Sequence, residues 1–196
     1  MYYPFAYASL FEHRKSIDKK DYVCKKTKFC VYMQRTDVSH RIRYFKLICK
    51  YKKVDALGDS CKNTKEKSSR HIYNNDETYN DIAIHTYKDY KFVIAMENTD
   101  VGGYFTEKIL NPLIANSIPI YWGNDHIFNF INKKRVIYAP DYSDDELLKH
   151  LKMLDENDDK YNEIISEDWY VNDNNPDKML NKLKDDIKKS VNKEFY

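Results

Sequence analysis

The chain has 196 residues and a net charge of +2, with 42% hydrophobic, 15% aromatic and 33% charged residues. That length admits one full α/β domain and not two of Rossmann size, and the apolar content excludes a wholly disordered chain. Only 4 Gly and 5 Pro exclude collagen-like and Pro/Gly low-complexity architectures, and no apolar run reaches the ~18 residues of a membrane span.

Residues 1–27 read as a connector remnant, aromatic from Tyr2 to Phe11 and charged beyond His13. Their opening, MYYPFAYASLFEHRKS, lacks the basic region ahead of an apolar stretch that marks a signal peptide. FCVYM (29–33) has strand character. Ser39 is then placed to cap a helix with Ile42, Phe45, Leu47, Ile48 and Tyr51 on its apolar face. VDALG (54–58) reads as a second strand ending at a glycine turn, and 59–70 as an exposed polar loop. A helix starting at Asp76 or Thr78 runs to about Asp89 and is followed by FVIAM (92–96), the strongest buried-strand pattern in the chain.

ENTDVGGYFTEKILNPLIANSIPIYWG (97–123) reads as strand end, glycine loop, helix and strand. The helix is expected from Thr106, with Pro112 kinking or shortening it by removing an N–H donor. RVIYA (135–139) follows as a strand. Asp141 and Ser143 precede an amphipathic helix through Leu147, Leu148, Leu151 and Leu154, so the Asp141–Asp144 run is a helix start and not a metal clamp. Further helical patterns lie around Tyr161–Trp169 and from Pro176 through Met179, Leu180, Leu183, Ile187 and Val191. Strands alternating with helices predict an α/β fold, a Rossmann-like parallel sheet flanked by helices, with a ligand crevice at the strand C-termini. The domain spans 28–175, and 176–196 form a C-terminal amphipathic helix that packs back on other protein or touches a membrane, packing being preferred.

Charge is divided unevenly. Residues 1–95 carry 20 Lys and Arg against 11 Asp and Glu, whereas residues 96–196 carry 13 against 20. A basic half meets nucleic acid, an acidic membrane or a phosphorylated small molecule, and field strength alone does not choose among them. The cysteines, Cys24, Cys30, Cys49 and Cys61, form no C-x-x-C pair and read as free thiols. No H-E-x-x-H arrangement or nucleophile partner accompanies the histidines, of which His40 and His126 fall nearest the expected cleft.

The chemistry concentrates in the central segment. Glu97 and Asn98 stand where the strand 92–96 ends, at the mouth of the expected crevice. Gly102 and Gly103 let backbone approach a ligand, and Tyr104 to Lys108 open a helix whose N–H groups favour an anion. Glu107 can accept two hydrogen bonds from a ribose diol, and Lys108 offers positive charge to a phosphate. Arg41, in the helix after the first strand, can form a bidentate pair with a pyrophosphate, with Arg43 as its competitor. Trp122 and Tyr121 end a strand beside this site, packing into the core in preference to contacting a base or sugar. The segment is neither a Walker loop nor a G-x-G-x-x-G fingerprint.

KFVIAMENTDVGGYFTEKILNPLIANSIPIYWG closely resembles the signature of the α-1,3/4-fucosyltransferases, glycosyltransferase family 10, with its K-F-x-x-x-x-E-N, Y-x-T-E-K and x-P-x-x-x-G elements. SHRIRYFKLICKYKKVDALG (39–58) is similar to the family's upstream arginine-led helix and V-D-x-x-G strand, and YYPFAYASL (2–10) to its interdomain connector. The resemblance implies the C-terminal, donor-binding half of a GT-B glycosyltransferase. It implies transfer of L-fucose from GDP-β-L-fucose, with inversion, to a GlcNAc or glucose hydroxyl of a glycan acceptor. By motif position Arg41 and Lys108 stabilise the leaving diphosphate, Glu107 holds the ribose, and Asn98 and Tyr104 line the donor pocket. Glu97, adjacent to the site, ranks lower as a substrate-binding residue because it can serve the loop instead.

No metal ligand set and no required cofactor is implied, a divalent cation being at most stimulatory. The family's general base belongs to an N-terminal acceptor-binding domain, and Glu12, Asp18 and Asp21 match no catalytic motif. The alternative is therefore a nucleotide-sugar-binding pseudoenzyme or one half of a split fucosyltransferase lacking the base. Relatives of this kind occupy the Golgi membrane in eukaryotes and the cytoplasm or membrane periphery elsewhere. A nucleic-acid partner is excluded in favour of an anionic sugar nucleotide.

Overall fold

The computed structural model describes residues 26–66, 81–171 and 176–193. Most of the connector expectation, Cys24, the loop beyond residue 66 and the start of the helix expected at Asp76 or Thr78 lie outside the described residues. The elements run β1 (Lys28–Tyr32), α1 (Ser39–Cys49), β2 (Asp55–Ala56), α2 (Asp81–Tyr87), β3 (Tyr90–Met96), α3 (Glu107–Ile114), β4 (Ile118–Trp122), β5 (Ile137–Tyr138), α4 (Asp144–Glu156), α5 (Asp158–Ser166) and α6 (Pro176–Lys193). All strand pairs are parallel, in the order β2-β1-β3-β4-β5. Parallel neighbours require crossovers, and the helices that supply them cover both faces of the sheet. The Rossmann-like α/β expectation is the architecture observed.

The period-2 alternation of β3 decides which residues meet which helices. Phe92, Ile94 and Met96 point to one face, against Phe45 and Ile48 of α1, Leu147, Leu151 and Leu154 of α4, and Ile165 of α5. Val93 lies against Ala83, Ile84 and Tyr87 of α2, and Ala95 against Ile109, Leu110 and Leu113 of α3. Both sheet faces are therefore dry, as the unbroken apolar runs FVIAM and IPIYW require.

Several local expectations are refined. Ser39 is the first helical residue of α1 and not its cap; Val38 holds the N-cap position with no side-chain hydrogen bond. Ser143 does cap α4, in a reciprocal capping box with Glu146. The strands expected at 54–58 and 135–139 shrink to two residues each, because Gly58 and the turn at Ala139–Asp141 take the chain out of the ladder. The fifth helix ends at Ser166, short of Trp169, which packs on the α3 side of the sheet. Pro112 sits inside α3, which ends two residues later. Cys30, Cys49 and Cys61 are free. Along α6, Ile187 and Val191 are 54% and 49% exposed, and no helix among the described residues is long and apolar enough to cross a membrane.

Gly58 controls the close approach of β2's end to the loop after β1. A Cβ there would lie 2.1 Å from the Gln34 backbone oxygen, and that oxygen also accepts the Ser60 N–H at 3.0 Å. Because the obstacle is backbone, no rotamer change relieves it. Gly58→Ala is expected to destabilise the fold by about 3 kcal/mol in urea unfolding; wild-type stability in that variant would show that the two segments are not packed this way.

Candidate functional site

The C-terminal ends of β1 and β3 open into a crevice of about 180 Å³ whose walls include Gln34, Thr36, Arg41, Asn98, Glu107 and Lys108. Four of the sequence-derived site residues, Arg41, Asn98, Glu107 and Lys108, thus meet in one place. Helix α1 carries Arg41 there, the end of β3 delivers Asn98, and the first turn of α3 presents Glu107 and Lys108.

Arg41 is 2% exposed. Its Nε–H donates to the Met96 carbonyl at 3.0 Å and its Nη2 donates to Asn98 Oδ1. The guanidinium is thereby fixed in orientation, and its Nη1 group stays unengaged among the described residues. Burial lowers its pKa from the ordinary arginine value. The Glu97 and Glu107 carboxylates favour its charge through space, and a bound anion would add to the stabilisation that water no longer gives this desolvated guanidinium.

Glu97, ranked lower as a substrate contact because it can serve the loop, is held by that loop. Its side chain is fully enclosed and accepts the Thr106 N–H at 2.7 Å and the Thr106 hydroxyl at 2.9 and 3.0 Å. Thr106 in turn caps α3 by accepting from the Lys108 N–H. A carboxylate of the protein itself therefore already occupies the N-terminus of α3, where the sequence suggested N–H groups free for a ligand anion. Lys108 Nζ lies 3.6 Å from Glu97 Oε2, 3.4 Å from Glu107 Oε1 and 3.1 Å from Thr106 Oγ1. Positive charge at the crevice thus comes from side chains, Arg41 buried and Lys108 half-buried, more than from the helix end.

Burial raises the Glu97 carboxyl above the ordinary carboxylate range, against the lowering effects of Lys108 and Thr106. Tyr104 does not join the crevice walls; it stands 37% exposed on the loop before α3. In that loop Gly103 has φ 79°, a left-handed conformation that glycine accepts readily. Gly102 would accommodate a Cβ with nothing within 4 Å, so space alone does not require a glycine there.

Gln34, Thr36 and Asn111 line the crevice without having been singled out. The rule that pointed to Glu97 and Asn98 applies equally to Gln34 and Thr36, which follow β1 at the same sheet edge. His40 lies just outside the walls, its Nε2 2.9 Å from the Glu97 carbonyl and its ring centroid 3.9 Å from that of Trp122 at a tilt of 32°. Tyr121 is core, as expected, while Trp122 is half-buried against His40. Arg43 points away and pairs with Asp144 at 2.5 Å, which leaves Arg41 as the crevice arginine. Among the described residues no group of three His, Cys, Asp or Glu side chains is arranged to hold a metal.

Comparison with known proteins shows the family and the fold. A fucosyltransferase-named protein of Acanthamoeba polyphaga mimivirus is 51% identical over the whole chain, which covers 32% of that protein. GDP-fucose protein O-fucosyltransferase 3 of Xenopus tropicalis is 31% identical over 86% of the chain and 36% of the relative. The chain therefore spans about a third of the length of these curated relatives. A solved α1,3-fucosyltransferase with GDP-fucose shares the fold at TM-score 0.61 and 21% identity, over 80% of this chain and 44% of that one. The same enzyme type with GDP gives 0.61 at 22% identity, over 88% of this chain and 52% of that one. The family model for glycosyltransferase family 10 (fucosyltransferase) C-term matches residues 14–187, and the chain belongs to that family.

Proposed function

We propose that the crevice binds GDP-fucose and that this chain supplies the donor-binding part of an inverting fucosyl transfer to a glycan hydroxyl. The observation that carries the reading is the convergence of a buried and oriented Arg41 with Lys108 and Glu107 at the strand C-termini. As the bond from fucose to the diphosphate breaks, negative charge grows on the departing GDP. Arg41 and Lys108 stabilise that charge without reorganising, since both are already held by protein contacts. Glu107 accepts from the ribose hydroxyls, which makes nucleotide recognition sensitive to the sugar of the nucleotide.

Inversion also requires a base that takes the proton from the attacking hydroxyl. Among the described residues Glu107 is the carboxylate on the crevice wall, and its assignment to the ribose leaves the base and the acceptor to an N-terminal acceptor-binding domain of the kind the family uses. The purified chain, assayed with GDP-fucose and a GlcNAc-terminated acceptor, is expected to bind donor. Transfer is expected to rise when the part of the mimivirus relative that this chain does not match is added. Absence of donor binding would defeat the reading, and donor binding without transfer under any complementation would leave a sugar-nucleotide-binding module in its place.

Glu107→Ala provides a separable check. A hydrogen bond to a charged group contributes about 1.5–3 kcal/mol, so GDP affinity should fall at least about tenfold. Wild type should prefer GDP over 2′-deoxy-GDP, and that preference should vanish in the variant. A variant that keeps the full discrimination would remove Glu107 from the ribose.

A further inference from the structure

A second cavity, about 520 Å³ in volume, opens beside the edge strand β5, two strands and so roughly 10 Å along the sheet from the end of β3. It shares no wall residue with the crevice of Arg41. Its size falls in the range of small-molecule sites, which are lined by aromatic and aliphatic groups with a few placed polar ones. Here Tyr142 and His150 stack with ring centroids 5.2 Å apart at 27°, and Tyr138, Ile137 and Ile164 complete the apolar lining.

The polar part of the lining is already neutralised pairwise. Lys133 pairs with Asp141 at 2.7 Å, Lys134 with Glu167 at 3.2 Å, and Glu163 with Lys160 at 3.1 Å. A pocket for a nucleotide, a phosphate or a metal ion would show an excess of one sign, as the crevice shows around Arg41. Burial further lowers the pKa of His150, favouring the uncharged imidazole. What remains is an uncharged wall of flat rings bordered by donors and acceptors. The ligand chemistry it matches has an apolar face and an edge of hydroxyls.

We propose that this cavity is a second binding site for a neutral pyranoside, one ring of an oligosaccharide packed on the Tyr142–His150 pair with its hydroxyls directed to the ion-paired rim. The site is separate from the donor crevice and stands independently of turnover there. For a chain that handles glycans, it would hold a part of the saccharide remote from the reacting hydroxyl.

The test is NMR titration of the full chain with chitotriose, with cellotriose, and with glucuronic acid as a charged control, beside Tyr142→Ala and His150→Ala. GDP affinity reports whether each variant is folded. At least one neutral trisaccharide should bind with a Kd of about 1 mM, shift the Tyr142 and His150 resonances, and weaken at least about tenfold in whichever variants retain GDP binding. Failure of both trisaccharides to bind, binding that persists unchanged in a folded variant, equal binding of glucuronic acid, or occupancy by an extended peptide in place of the saccharides would overturn the proposal. Loss of GDP binding in Arg41→Ala with trisaccharide binding intact would support it, by showing two independent sites.

Discussion

With an N-terminal acceptor-binding domain supplied, Arg41→Ala is expected to lower fucosyl transfer by about 10²–10³, the scale seen when one preorganised donor to a developing charge is removed. GDP affinity should fall with it. The size of the effect follows from the environment of the guanidinium, which is 2% exposed and already positioned by the Met96 carbonyl. A surface arginine would be screened and worth far less. Arg41→Lys separates geometry from charge: the ammonium keeps the positive charge but loses the rigid fork, so activity should fall between wild type and alanine. Circular dichroism is the control, because the alanine variant also leaves the Met96 carbonyl without its side-chain donor, at a cost of about 1–3 kcal/mol. Near-native transfer by a folded Arg41→Ala variant would contradict the assignment.

Glu97→Ala should be the most destabilising substitution in the site, and it acts without touching the ligand. It strands the buried Thr106 N–H, removes the partner of the Thr106 hydroxyl, and takes from Lys108 its buried counter-charge. Breaking a buried, hydrogen-bonded charge pair in this way costs about 3–5 kcal/mol. The loop between β3 and α3 is released at the same time, so Glu107 and Lys108 lose their positions and GDP binding should fail with stability. Glu97→Gln keeps an acceptor for Thr106 and should retain a folded chain. It also isolates a pH effect. The carboxyl is raised in the folded chain, which therefore binds a proton more tightly than the unfolded chain does. This contribution to stability is complete below the ordinary glutamate range and is lost as pH rises through the folded value. Stability of wild type should show that downward slope above the ordinary range, measured by urea unfolding, and Glu97→Gln should lack it.

The sequence carried the ladder of strands and the site in unequal measure. Runs such as FVIAM and IPIYW announce buried parallel strands because both faces of the sheet need apolar side chains. Thr106 announces its helix because a hydroxyl there can accept from the first turn. Arg41, Asn98, Glu107 and Lys108 were legible as a group because a strand C-terminus and a helix N-terminus fall together in this topology. For Glu97 the sequence offered both a place at the crevice and a part in the loop; its full burial, the Thr106 hydrogen bonds and the packing of Gly123, whose Cβ would lie 2.9 Å from Glu97 Cγ, show how closed its surroundings are. Ser39 misled because a hydroxyl one residue late reads the same as a cap. The cavity beside β5 draws on residues spread from Lys133 to Glu167, at no recurring spacing, so no motif marks it.

The central claim, that the ends of β1 and β3 form the nucleotide site, is tested most directly by mapping GDP onto the chain through amide and side-chain NMR shifts. The account predicts saturable changes at Gln34, the Arg41 guanidinium, Asn98 and the amides of Glu107 and Lys108, with none at Tyr142 or His150. Shifts centred on the cavity beside β5, or no saturable shift at Arg41, would contradict it.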